Sequence, residues 1–192
     1  MDGPSAKRYT NWVLELAPVA AAVANYCDHV EHNEAADPVW VTEAALKLRL
    51  LAVEMAISQG ADIRGLYAAR LQQIEQRNPL SRPGELDGAV LAAEATTWRD
   101  LQVVQIAHDR TYHPDILGLS KLDQLRHCAL HLTKLVGAIA EVASGRAGED
   151  DLYLRRVPDL VLFGLKLSTM AGERLSEKEI SEARHSLKLL AG

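Results

Sequence analysis

The sequence predicts an all-α protein, a bundle of about six or seven helices, and three observations carry this prediction. Apolar residues recur at steps of three and four over most of the 192 residues, which is the period of an amphipathic helix. Leu and Ala dominate the apolar set and only one Phe is present, which favours helices over sheets. Alternation of period two is not convincing anywhere in the chain, so we expect no strand.

Four helices are predicted in the first part of the chain. The first spans about residues 10–30, with Pro18 as a kink or a restart. The second begins at a Thr42 cap and ends near Gly60, and the third follows an Asp62 cap up to residue 76. A long fourth helix is expected over residues 85–108.

Two further helices form the part of the chain that carries most of the candidate chemistry. The first begins at a Ser120 cap and stops at Gly145, and the second begins near residue 151, with a kink or a restart at Pro158. Because the link between them is short, we expect them to pack antiparallel. Ser176 with Glu179 predicts a capping box for a last helix that reaches residue 190.

Length and composition favour a single helical domain over residues 1–192, with possible halves 1–80 and 85–192 joined by the Pro- and Gly-rich loop 78–84. The net charge of −5 gives no reason to expect nucleic acid as a partner. Two cysteines, Cys27 and Cys128, do not make a disulfide framework and are expected to be small buried residues. No apolar run reaches membrane-spanning length, and no signal peptide is expected, so we predict a cytoplasmic protein.

Polar side chains interrupt this apolar scaffold in two places. One place is the pair of helices after residue 120, where charged and imidazole groups share stripes beside the apolar seams. The other is the helix end over residues 108–115, since loops at helix ends often carry function. The candidate ligand-binding residues are His127, His131, Lys134, Arg155, Arg156, Asp159 and Lys166 in the first place, and His108, Asp109, Tyr112 and His113 in the second.

Residues 131–141 (H-L-T-K-L-V-G-A-I-A-E) and 155–167 (R-R-V-P-D-L-V-L-F-G-L-K-L) resemble the core hairpin of MazG-like all-α nucleoside triphosphate pyrophosphohydrolases. The resemblance covers roughly a third of the chain. In that superfamily two carboxylate pairs, E-x-x-E and E-x-x-D, hold Mg²⁺ against a triphosphate. These pairs fall here at His131 with Lys134 and at Arg156 with Asp159, so only Asp159 keeps the expected residue type.

The resemblance implies a nucleotide or another phosphate-bearing molecule as ligand, Mg²⁺ as a possible cofactor, and a homo-oligomer. Cations at Lys134, Arg156 and Lys166 repel Mg²⁺, but they can bind phosphate or carboxylate directly. We therefore expect a MazG-like protein with an altered metal site that binds an anionic small molecule. Whether it is an enzyme stays open.

Several alternatives remain from the sequence alone. The charged residues could form a structural ion network in which Asp159 pairs with Arg155 or Lys134. His127 and His131 could share a metal with Asp159 or with a residue from another helix, and the dipeptide His108-Asp109 resembles the paired ligands of HD-type phosphohydrolases. The chain could also be a non-catalytic interaction protein that oligomerises or docks a partner, with apolar surface left over from residues 13–24 or 160–167.

Overall fold

The computed structural model describes residues 4–78 and 86–176, and within these ranges the chain is helical without strands, so the all-α prediction is confirmed. Six of the helices have 14 or more residues. In chain order the helices are α1 (Pro4–Glu31), α2 (Val39–Ser58), α3 (Ile63–Arg77), α4 (Gly88–Glu94), α5 (Trp98–Tyr112), α6 (Pro114–Leu117), α7 (Lys121–Ala143), α8 (Glu149–Asp151) and α9 (Val157–Met170).

Helix α9 is the centre of the packing. Its sequence is apolar on almost every side, and all residues from Val157 to Leu165 are buried. Helix α2 lies along it, while α3, α5 and α7 contact it from other directions. Polar side chains of α9, such as Asp159 and Lys166, are therefore held against neighbouring helices rather than in open solvent.

The segment before α9 is a π-helical turn, Leu152–Arg156, and Pro158 lies in the first turn of α9. This agrees with the expected restart, because proline lacks an N–H and fits where the backbone donors of a new helix have no partner within the helix. Helix α1 (Pro4–Glu31), in contrast, contains Pro18 in its interior and does not restart there. It packs along α7.

Local capping signals mark several helix ends as predicted. The Asp62 side chain accepts a hydrogen bond from the Arg64 backbone N at 3.4 Å, and the Ser120 hydroxyl accepts one from the Asp123 backbone N at 3.1 Å. Gly145 follows α7 with a φ of 71°, the left-handed geometry of a helix stop.

The prediction of one long helix over residues 85–108 is wrong. Two helices, α4 and α5, replace it, and the break lies between Glu94 and Trp98. Its cause is a capping box: the Thr97 hydroxyl accepts from the Asp100 backbone N, and the Asp100 carboxylate accepts from the Thr97 backbone N at 2.9 Å. Helix α5 also continues to Tyr112 instead of stopping at residue 108.

Helix α2 begins earlier than the predicted Thr42 cap. The Asp37 carboxylate accepts from the Val39 backbone N at 2.9 Å, which starts the helix at Val39. The predicted capping box at Ser176 and Glu179 and the helix after it lie outside the described residues. Among the helices that the structure describes, none has the length and apolarity needed to cross a membrane.

Candidate functional site

A cavity of about 190 Å³ lies between α5, α6, α7 and α9. Its wall area is mainly apolar, although most of the lining side chains also carry a polar or charged group, and this combination suits a small polar molecule. The lining residues are Gln105, Ile106, Asp109, Arg110, His113, Ile116, Leu117, Gln124, His127, Cys128, Lys166, Thr169 and Met170.

The cavity exists because α5 ends where α6 begins. Pro114 disfavours helical geometry at His113, which is the last residue before α6 and adopts φ −134° and ψ 44°. Helix α7 then starts after a short turn, and the Gln124 side-chain amide donates to the carbonyl oxygens of Leu117 and Leu119 at 3.2 and 2.9 Å. These bonds tie the α6 segment to the first turns of α7.

A chain of buried polar side chains runs from the core to the cavity. The Tyr67 hydroxyl donates to Gln105 Oε1 at 2.6 Å, and Gln105 Nε2 donates to Asp109 Oδ1 at 2.9 Å. The same Asp109 oxygen lies 2.8 Å from Lys166 Nζ, and only 10% of the Asp109 side chain and 11% of the Lys166 side chain are exposed. Burial raises the pKa of Tyr67 well above its usual value, so the phenol stays a donor. The chain therefore fixes both charged groups at the cavity wall.

His108 lies behind this wall and is fully buried, with 0% of its surface exposed. Within residues 4–78 and 86–176, neither ring nitrogen has a hydrogen-bond partner, although Nε2 lies 3.6 Å from the Glu75 carboxylate. The ring stacks on Tyr112 with centroids 4.5 Å apart. Burial, with a smaller contribution from His113 and Lys166, lowers the pKa of His108 to about 4, so the imidazole is neutral near pH 7.

His113 and His127 bring two more imidazoles to the cavity. Burial is the main cause that lowers the pKa of each, and the Lys166 ammonium adds to it. Both rings therefore favour the neutral form, in which each can donate one hydrogen bond and accept another. His108, Asp109 and His113 each have a potential metal-ligand atom, and these three atoms lie within 4.8 Å of one another.

Cys128 also lines the cavity, but burial raises the pKa of its thiol to about 12. It is thus protonated near pH 7 and unsuited to nucleophilic attack. Cys27 is buried as well, so both cysteines fit the expectation of small packed side chains.

The other candidate residues of the hairpin lie away from this cavity. Asp159 accepts two hydrogen bonds from the Arg70 guanidinium of α3, at 2.7 and 3.3 Å, rather than pairing with Arg155 or Lys134. Arg155 and Arg156 both contact Asp151, each at 3.1 Å.

The remaining two hairpin candidates have different environments. His131 stacks on Phe163 with centroids 4.9 Å apart, and its ring centroid lies 4.5 Å from that of His127. Lys134 is exposed on α7. The candidate residues of the two helices after residue 120 are therefore divided between different places. Of these candidates, His127 and Lys166 line the cavity.

The sequence predicted two separate candidate sites, one over residues 108–115 and one on the two helices after residue 120. In the structure Asp109 and His113 of the first line the same cavity as His127 and Lys166 of the second. The prediction missed Gln105, and it included Arg110 in the segment 108–115 without singling it out as a binding residue. A signal for Gln105 was present, because Gln105 lies four residues before Asp109 on the helix face that also carries Trp98 and Leu101.

No protein-family model, no curated protein and no solved structure matches this chain. The resemblance of residues 131–141 and 155–167 to MazG-like pyrophosphohydrolases therefore stays a prediction from the sequence.

Proposed function

We propose that this protein binds a small organic anion, bearing a phosphate or a carboxylate, in the cavity between α5, α6, α7 and α9. The observation that carries the proposal is the Lys166 ammonium at the wall of a mainly apolar cavity, with Arg110, His113 and His127 around the same space. Cationic and neutral donors that converge on one cavity favour an anionic group.

Lys166 can serve a ligand without losing its partner. An ammonium group has three N–H donors, and the contact with Asp109 Oδ1 uses one of them. The remaining donors, with those of the Arg110 guanidinium and one N–H from each neutral imidazole, can contact the oxygens of an anion. Asp109 offsets part of the positive charge, which favours a singly or doubly charged group over a triphosphate.

The size of the cavity narrows the ligand class. A volume of about 190 Å³ is below the roughly 300–1,000 Å³ typical of sites that enclose a drug-sized molecule. A whole nucleoside triphosphate does not fit inside, whereas a small phosphate ester or carboxylate with an apolar part does. The apolar part would lie against Ile106, Ile116 and Met170. Pyrophosphohydrolase chemistry with Mg²⁺, which the MazG-like resemblance implies, is a further step that this proposal does not need.

The competing proposal is a non-catalytic interaction protein that oligomerises or docks a partner. It expects apolar surface from residues 160–167, but Leu160 to Leu165 are buried against neighbouring helices. Leu14 on α1, which is 66% exposed, is the largest apolar group left for such a surface in residues 13–24. Other large apolar side chains are exposed on different helices, among them Val103, Leu130 and Leu154. Exposed apolar groups that are scattered singly are ordinary for a globular protein, so the cavity is the stronger support.

The test is a thermal-shift screen followed by calorimetric titration, with the protein kept in a metal chelator. The panel contains inorganic phosphate, small phosphate esters, aryl and alkyl carboxylates and nucleoside mono-, di- and triphosphates, and is repeated with Mg²⁺ in place of chelator. A ligand that binds only the folded state raises the melting temperature by mass action. We expect small phosphate esters or carboxylates to give the largest shift.

Two lysine variants localise any binding that is found. Lys166→Met removes the cavity ammonium and is expected to weaken binding by about 10-fold or more, as loss of a charged hydrogen-bond partner does. Lys134→Met removes an exposed lysine of α7 outside the cavity and should bind as the unaltered protein does. No shift with any anion, or equal affinity in both variants, overturns the proposal and favours the interaction protein.

A further inference from the structure

The buried imidazole of His108 has no role in the anion cavity. It does not line that cavity, it is completely enclosed, and neither Nδ1 nor Nε2 has a hydrogen-bond partner in the described part of the chain. Buried polar groups are almost always paired, so a side chain with two unpartnered nitrogens indicates a missing ligand. A metal ion is a ligand that a neutral imidazole nitrogen binds well.

Two further ligand atoms lie next to this imidazole. Asp109 follows His108 directly, and His113 comes five residues later at the end of α5, so that ligand atoms of all three lie within 4.8 Å of one another. Zinc bonds to imidazole and carboxylate groups are about 2.0–2.2 Å long. The three atoms must therefore close in by small side-chain rotations, which His113 can make because it lies at a helix end and is only half-buried.

A second layer of contacts supports the imidazole in the way that metal sites require. The Glu75 carboxylate lies 3.6 Å from His108 Nε2, and it accepts a hydrogen bond from the Gly88 backbone N at 3.0 Å. Histidines that bind a metal usually have a carboxylate or carbonyl near the other ring nitrogen, which orients the ring. Here the Glu75 carboxylate lies on the Nε2 side of the ring, and Nδ1 has no hydrogen-bond partner among the described residues.

Gly88 is what makes room for this second layer. A Cβ at this position would lie 2.6 Å from Glu75 Oε1 and 3.0 Å from His108 Cδ2, closer than side chains normally approach. Glu75 and His108 can thus meet only beneath a glycine. The Asp109 carboxylate is held in place as well, because Gln105 Nε2 donates a hydrogen bond to its Oδ1. This bond does not use Oδ2.

We propose that His108, Asp109 and His113 form a binding site for one divalent transition-metal ion of the zinc type. Two imidazoles and one carboxylate suit zinc, iron, cobalt or nickel better than Mg²⁺ or Ca²⁺, which prefer oxygen ligands. Three protein ligands leave coordination positions open, and Asp109 and His113 place the ion beside the cavity. The site does not depend on the proposed anion binding.

Lys166 is the group that opposes this ion. Its ammonium lies 2.8 Å from Asp109 Oδ1 and repels a cation at the same carboxylate. Lys166→Met is therefore expected to raise metal affinity while it lowers anion affinity. The opposite signs separate the two proposals, because the failure of one leaves the expected result of the other intact.

The experiment uses the full chain, freed of any affinity tag and stripped with chelator. Calorimetric titration with Zn²⁺ is expected to give one strong site per chain, and Co²⁺ should give visible ligand-field absorption that Zn²⁺ abolishes. His113→Ala and Asp109→Asn should each weaken Zn²⁺ binding by more than about 10-fold, since loss of even an outer-shell partner costs about 10- to 100-fold. Both replaced side chains lie at the cavity wall, and circular dichroism checks that each variant is folded.

Two control variants test whether the ion binds elsewhere. His32→Ala removes an exposed histidine after α1, and His131→Ala removes the imidazole of α7 that could chelate together with His127. Both should retain Zn²⁺ affinity within about 2-fold, well short of the 10-fold loss expected for a ligand. Absence of a strong site, loss of binding in a control, or full affinity in His113→Ala and Asp109→Asn overturns the proposal.

Discussion

The buried charged residues of this protein are partnered across long stretches of chain. Asp159 illustrates this, because local spacing suggested Arg155 or Lys134 as its partner, whereas Arg70 of α3 holds it. Arg155 instead pairs with Asp151 at the start of its own helical segment. The sequence shows which charged residues fall among apolar ones, but pairing depends on which helices pack together, and helical periodicity does not contain that information.

The Arg70–Asp159 pair yields a prediction at the scale of one side chain. Only 13% of the Arg70 side chain and 10% of the Asp159 side chain are exposed, and burial already raises the pKa of Asp159. Arg70→Met leaves this carboxylate buried without its cation, so we expect a loss of about 3 kcal/mol in the free energy of unfolding. Urea denaturation near pH 7 measures the loss.

Arg155→Met is the matched control for this change. Its partner Asp151 is 48% exposed, and exposed ion pairs contribute at most about 1 kcal/mol. A loss in Arg70→Met no larger than in Arg155→Met would contradict a structural role for the buried pair. Replacing Asp159 by Asn in the Arg70→Met background should recover part of the stability, because it removes the unpaired charge.

At the scale of helices, prediction from the sequence succeeded where a local signal marks the end. Asp62, Ser120 and Gly145 begin or end helices as expected because capping is a contact between neighbours in sequence. The break before α5 was missed because it contains no Gly or Pro. Thr97 with Asp100 was its only local mark, and Asp is a less familiar partner than Glu or Gln in a capping box.

The contact between α2 and α9 gives a prediction at the same scale. A Cβ on Gly164 would lie 3.1 Å from the Ala45 carbonyl oxygen and 2.9 Å from Arg49 Cγ, so the two helices meet through a residue without a side chain. Gly164→Ala should push them apart and destabilise the protein by about 1–3 kcal/mol, as overpacking does. A Cβ on Gly137 of α7 meets no atom of the described residues within 4 Å, so Gly137→Ala should stabilise the protein by up to about 1 kcal/mol. Equal effects of the two changes in urea denaturation would contradict the close approach.

At the scale of the whole molecule, the fold collects its polar chemistry around one apolar helix. Composition and periodicity were enough for the all-α class, since both are properties of the sequence itself. The cavity was not predictable, because Asp109 and Lys166 meet only after α5 packs against α9. Enclosing these groups also encloses imidazoles, and neutral imidazoles inside a fold make its stability depend on pH.

His131 allows that dependence to be tested. Burial, with smaller contributions from His127 and Lys134, lowers its pKa in the folded protein to about 4, against 6.5 in the unfolded chain. A lowered pKa means that the unfolded chain binds the proton more readily. The stabilisation is therefore complete above pH 6.5 and is lost progressively as the pH falls towards 4.

We expect the urea midpoint to fall between about pH 7 and about pH 5 in chelator. It should fall less in His131→Phe, which keeps the stacking on Phe163 but cannot be protonated. Carboxylates titrate in the same range in both proteins, so the difference between the two slopes isolates the imidazole. Identical slopes would mean that His131 keeps its usual pKa in the folded protein and takes no part in acid unfolding.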